Sequence, residues 1–177
     1  NIVLDSPTQP YSVNINLSNA VGAQGPGDGN LANNSLSGFI AMALDGSSDP
    51  FNPSIYYVGG TPVPGQWFPN LTDVSAALTF GGILGAVEFR VRPGTYNEQM
   101  LIGQISQTIQ GIPGSSAMRP VTFTADAAAG GNVNNVIVSS ANTALNNFTV
   151  QLNGTDNITF RNMTFAINGA SAVFGRN

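Results

Sequence analysis

VEFRVRPGTYNEQ (87–99) decides the fold. Val87, Phe89 and Val91 alternate with Glu88, Arg90 and Arg92, the pattern of a strand with one buried face. A Pro93-Gly94 corner follows, and beyond it stand Tyr96 and Glu98. The same texture recurs in PVTFTAD (120–126), NVIVSS (135–140), NNFTVQL (146–152) and NITFRNMTFAI (157–167), with Gly, Asn and Asp between the runs marking turns. Repetition of one short strand unit is the mark of a solenoid. Val136-Ile137-Val138 and Ile158-Thr159-Phe160 lie 22 residues apart, which suits the roughly 20–30 residues in one turn of a three-sided parallel coil.

Within these strands Phe89, Val121, Phe123, Phe148, Val150, Phe160 and Phe165 are expected to point inward. Thr122, Thr124, Thr149, Gln151, Thr159 and Thr164 are expected to point outward. A single coil cannot bury its own inner face, so stacking must supply the core. An antiparallel sandwich would alternate in the same way. The coil is favoured because tight two-residue hairpin signals are scarce, Asn153-Gly154 being the exception.

Residues 1–65 read as a separate, β-rich annex, and residues 66–177 as the coils. YSVNINLS (11–18) is an amphipathic strand, SIYYVGG (54–60) another, and GFIAMALDG (38–46) either a buried strand or a short helix. VGAQGPGDGNLANNS (21–35) is a Gly/Asn loop that alone reads as flexible. Its preferred anchor is its own domain, a neighbouring copy being the other. TPVPGQWFP (61–69) is a Pro-rich joint. After it, 72–80 reads as a capping helix with Thr72 as N-cap, Val74, Ala77 and Leu78 on one face, and Gly81-Gly82 as its stop.

Bulk composition excludes several functions. The 177 residues carry a net charge of −4, and only 8% of them are charged, against a usual share of about 25%. Weak mutual repulsion favours crowded association. The positive charges are Arg90, Arg92, Arg119, Arg161 and Arg176, with no Lys. Five scattered Arg in an acidic chain do not make the basic stripe that nucleic acid requires. Without Cys there are no disulfides or thiolate sites, and without His the commonest base and zinc ligand are missing. No apolar run approaches the roughly 20 residues of a membrane span. Low charge and Asn/Thr richness point to secretion, and a start at Asn1 reads as a processed or excised piece.

The order helix (72–80), VEFRVRPGTYNEQ, then DNITFRNMTF (156–165) resembles the opening coils of the pectin-lyase-like right-handed parallel β-helix. Two branches are similar. Pectin methylesterases open with Gly-x-Tyr-x-Glu, met here by Gly94, Tyr96 and Glu98. β-Helical modules of large secreted bacterial surface proteins match more residues, Pro93 to Gln99 and Asn157 to Thr164. The resemblance covers about residues 66–167 and implies an all-β fold, a short solenoid with an N-terminal capping helix. The esterases' catalytic Asp and Arg motifs lie on later coils and have no counterpart before Asn177. Phe174-Gly175-Arg176 is a superficial echo.

Catalysis without His needs paired carboxylates. On the strand-rich part the acids are Glu88, Glu98, Asp126 and Asp156. Glu88 is expected to pair with the neighbouring Arg side chains, Glu98 to pair with an Arg of an adjacent coil, and Asp126 and Asp156 to form Asx-turns. No catalytic site and no resident cofactor is therefore assigned. Calcium would suit Asp28 or the Asp45–Asp49 stretch, although neither has EF-hand spacing. Tyr56, Tyr57, Tyr96 and Trp67 are candidate stacking platforms for a surface glycan, with Glu98 beside them. The sequons at Asn16, Asn33, Asn70, Asn147, Asn153, Asn157 and Asn162 are glycosylation candidates, and structural Asn ladders explain them equally well.

The expected function is a secreted, non-enzymatic structural or adhesive surface protein that associates with copies of itself or with further coils, as in an extracellular filament or surface layer. SAVFGRN (171–177) has no evident cap, so Val173 and Phe174, together with Ile2, Val3 and Leu4, are the expected assembly residues. The alternatives are an N-terminal fragment of a polysaccharide-acting enzyme and a glycan-binding module.

Overall fold

A computed structural model describes residues 11–16, 35–40, 42–103, 111–141 and 147–167. The expected assembly residues Ile2, Val3, Leu4, Val173 and Phe174, the sequon at Asn33 and the candidate calcium residue Asp28 lie outside these. The described chain is all-β apart from one short helix. Its strands are β1 (Tyr11–Asn16), β2 (Ser35–Ile40), β3 (Ser54–Val58), β4 (Trp67–Phe68), β5 (Val87–Val91), β6 (Gly94–Asn97), β7 (Met100–Ile102), β8 (Val121–Ala125), β9 (Val136–Ser140), β10 (Val150–Leu152), β11 (Ile158–Arg161) and β12 (Thr164–Ile167). Helix α1 (Leu71–Ala76) runs into a π-helical turn, Ala77–Gly81.

β1 and β2 form an antiparallel pair with Tyr11 opposite Ile40. All the other strand pairs are parallel. They make three sheets, ordered β11-β8-β5-β3-β4, β12-β9-β6 and β10-β7. The chain visits these sheets in rotation: β5, β6, β7, then β8, β9, β10, then β11, β12. Register is constant from layer to layer, with Phe89 opposite Phe123 and Phe123 opposite Phe160. β3 lies between β4 and β5, with Tyr56 opposite Phe89, so the sheet continues across residue 65.

Alternation along each strand produces the core. In β5 the buried Val87, Phe89 and Val91 flank the half-buried Glu88 and Arg90. The same register stacks the aromatic rings. Tyr56, Phe89, Phe123 and Phe160 follow one another with centroids 5.7, 4.9 and 5.0 Å apart. Aromatic pairs in such contact contribute about 0.5–1.5 kcal/mol each beyond area burial. Helix α1 presents Leu71 and Val74, and the π-turn Leu78, to this core. Gly103 N–H donates to Thr79 Oγ1 at 3.0 Å and ties the turn to the end of β7.

Several sequence expectations need correction. The run 157–167 is two strands, because Asn162 takes a left-handed backbone, φ 56°, and turns the chain between sheets. The 22-residue spacing joins strands of different sheets, β9 and β11. The true layer repeat is longer, because each layer includes up to three strands and their corners: Phe89, Phe123 and Phe160 are 34 and 37 residues apart. Residues 38–46 are neither one strand nor a helix: β2 ends at Ile40, and Leu44 forms an isolated bridge with Ile83. Helix α1 is capped by Asn70, whose Oδ1 accepts from Asp73 N–H at 2.7 Å, rather than by Thr72. Thr122 is buried, whereas Phe165 is 39% exposed.

A polar cleft beside the parallel sheet

Constant register also sets a concavity at one end of this sheet. Val58, Val91 and Ala125 are partners at the ends of β3, β5 and β8. The residues that follow them, Gly59, Arg92 and Asp126, are therefore neighbours across three strands. Asp126 N–H donates to Val91 O at 2.8 Å, and Arg92 N–H donates to Val58 O at 3.0 Å. The turn after β3, the Arg92-Pro93 corner and the turn after β8 enclose a cleft of about 680 Å³.

Two glycines make this arrangement possible. Gly59 and Gly60 have φ of 73° and 61°, and a Cβ on Gly60 would lie 2.7 Å from Arg92 Cδ. With no side chain there, the Arg92 guanidinium reaches back over the turn. Its Nη1 donates to the carbonyl oxygens of Gly59 and Thr61. The guanidinium carbon lies 5.0 Å from the centroid of the half-buried Tyr57 ring, a cation–π contact.

The Asp126 side chain is only 5% exposed. Its Oδ2 is 3.8 Å from Arg92 Nε, an ion pair too long for a hydrogen bond, and its Oδ1 has no partner. The expected Asx-turn is not made. Asp126 does precede a short 3₁₀ turn, Ala127–Ala129, but its side chain leaves that turn uncapped. Asp126 also lines a smaller hollow of about 280 Å³ shared with Glu88, Arg90 and Asn162.

Tyr57 and Asp126 apart, the residues singled out from sequence fall elsewhere. Tyr96 is buried, and its hydroxyl donates to Arg92 O at 2.8 Å and Val58 O at 3.2 Å. Burial pushes that hydroxyl's pKa up to about 12, and neighbouring Glu98 adds to the rise. A ring so placed braces the corner from inside and offers no stacking face. Tyr56 is likewise buried, its hydroxyl donating to Asp45 O and its pKa pushed up to about 12 by burial. Trp67 is half-buried, with Nε1 donating to Gly59 O at 2.9 Å. Of the four platforms, Tyr57 lines the cleft.

Among the described residues Glu98 meets no Arg. Its Oε2 accepts from both the N–H and the hydroxyl of Thr72, at 2.7 and 2.8 Å, which seats a carboxyl on the first turn of α1. Glu88 accepts from Arg90 Nε at 2.7 Å, as its sequence position suggests. This hydrogen bond raises the pKa of Arg90. Asp156 is exposed, and its backbone carbonyl accepts from Ser115.

Among the sequons, Asn70 is the helix cap, Asn153 Oδ1 accepts from Gln151, and Asn157 and Asn162 adopt left-handed turns. Asn147 is exposed, and Asn16 ends β1. Asp49 Oδ1 accepts from Phe51 N–H at 2.9 Å, closing a local turn. Among the described residues no three His, Cys, Asp or Glu side chains gather as a metal site, and no helix is long and apolar enough to cross a membrane.

The Arg92–Asp126 pair was missed, yet a signal existed. Laying VEFRVR (87–92) over VTFTAD (121–126) puts the two opposite charges at one position of successive strands. No family model matches this chain, and no curated protein or solved structure matches it either.

Proposed function

We propose that the chain is a short right-handed parallel β-helix serving as a secreted, non-enzymatic structural or adhesive protein, whose open layer stacks on further coils or on another copy. The rotation of strands through three parallel sheets supports the coil. Its hand follows from the general preference of parallel crossovers for right-handed connection. The observation carrying the assembly reading is at the open edge of each of the three sheets. Among the described residues β10, β11 and β12 each pair on one side only, with β7, β8 and β9 respectively. Leu152, Phe165 and Ile167 there are 44%, 39% and 49% exposed. Unpaired edges with apolar side chains are templates for another strand, and the sparse charge opposes contact weakly.

Electron microscopy and sedimentation of the purified chain test this. Regular fibres or a concentration-dependent oligomer series are expected, reduced by the double substitution Phe165→Lys and Ile167→Lys. A monodisperse 18.3 kDa species at all concentrations would overturn the assembly reading.

A further inference from the structure

We propose that the Tyr57–Arg92–Asp126 cleft binds a neutral sugar ring through two adjacent hydroxyl groups. Buried polar atoms in folded proteins nearly always have a hydrogen-bond partner. Asp126 Oδ1 has none and is itself closed off, while Oδ2 has only Arg92 Nε at 3.8 Å, although the side chain lines the cleft. The missing partner is a donor. Beside it, Arg92 has committed Nη1 to two backbone carbonyls, which leaves Nη2 and Nε as the donors without a close partner among the described residues.

The combination selects the ligand. A simple anion is favoured by Arg92 but opposed by the Asp126 carboxyl. A simple cation is favoured by Asp126 but opposed by the guanidinium. A polyol satisfies both, one hydroxyl donating to Asp126 while its neighbour accepts from Arg92. The half-buried Tyr57 side chain lines the same cleft, with the Arg92 guanidinium stacked on its ring. Thr61 and Gln66, both exposed at the rim, add further polar groups. A cleft with one aromatic wall and a few convergent polar groups is the usual form of a small-molecule site. This inference does not depend on assembly.

The single Trp provides the readout, since Trp67 Nε1 and Arg92 Nη1 share the Gly59 carbonyl. Methyl glucoside, mannoside and galactoside are titrated against the full chain, with Trp fluorescence and amide chemical shifts recorded. At least one of them is expected to give saturable binding, with shift changes centred on residues 57–66, 92 and 126–129. Asp126→Asn is expected to weaken that affinity by about tenfold or more. No saturable response up to ~10 mM of any sugar, shift changes elsewhere, or affinity retained by a folded Asp126→Asn would each overturn the proposal. If Asp126→Asn fails to fold, the wild-type shift map and Tyr57→Leu decide it in the same two directions.

Discussion

Phe89 stacks on Phe123 with ring centroids 4.9 Å apart and planes 21° from parallel, although 34 residues separate them in the chain. Both rings are completely buried, and the partly exposed Phe160 continues the column in the last described layer. Phe123→Ala removes the middle of the column and leaves a cavity. It is expected to cost about 3–5 kcal/mol, read as a lower urea midpoint at unchanged slope. Phe160→Ala is expected to cost less, because its ring is only partly enclosed.

Glu98 holds the first turn of α1 through two bonds to Thr72. Glu98→Gln keeps the shape but weakens both bonds and removes the charge from the helix N-terminus. A loss of about 0.5–2 kcal/mol is expected from chemical denaturation. Thr72→Ala combined with Glu98→Gln should then cost less than the two single losses together, because they break a common interaction.

The fold was partly legible because alternation is a local signal. β5, β8 and β9 stand in VEFRV, VTFTA and VIVSS almost as read. What the pattern did not carry was which strand meets which. Corners of unequal length hide the layer repeat, so the 22-residue spacing linked strands of different sheets. Asn162 was equally hidden, since Asn is compatible with a strand until its φ is known. The cleft was illegible for a related reason: Arg92 and Asp126 become neighbours only once the register of β5 on β8 is set. Tyr96 and Glu98 follow a turn whose partners the sequence does not name; in the structure one braces the corner from within and the other seats a helix.

Asn162 separates β11 from β12 with φ 56°. Asn162→Val places a branched side chain in the left-handed region and is expected to cost about 1–2 kcal/mol or more. Asn162→Gly removes the Cβ and is expected to stay within about 1 kcal/mol of the parent. Thermal melts of both variants check this. Equal losses would mean that the Asn162 side chain itself, and not the backbone conformation, holds the corner.

Tyr56 and Tyr96 both have pKa values raised from 10.0 to about 12 by burial. The unfolded chain therefore releases these protons at lower pH than the folded one. Their contribution to stability is complete below pH 10 and is lost as pH climbs through the folded-state values. Unfolding free energy should decline between about pH 10 and 12, with phenolate absorbance rising alongside unfolding. Tyr96→Phe should flatten the decline while lowering stability at neutral pH, through loss of the two hydroxyl bonds.

Layers of 34 and 37 residues share one register, so the vertical step is dictated by strand pairing and is indifferent to connector length. Extra residues spliced at the exposed Ala128-Ala129-Gly130 turn should accordingly leave the aromatic column intact. That turn is a natural port for grafting a reporter or an epitope, displayed at the rim of the cleft.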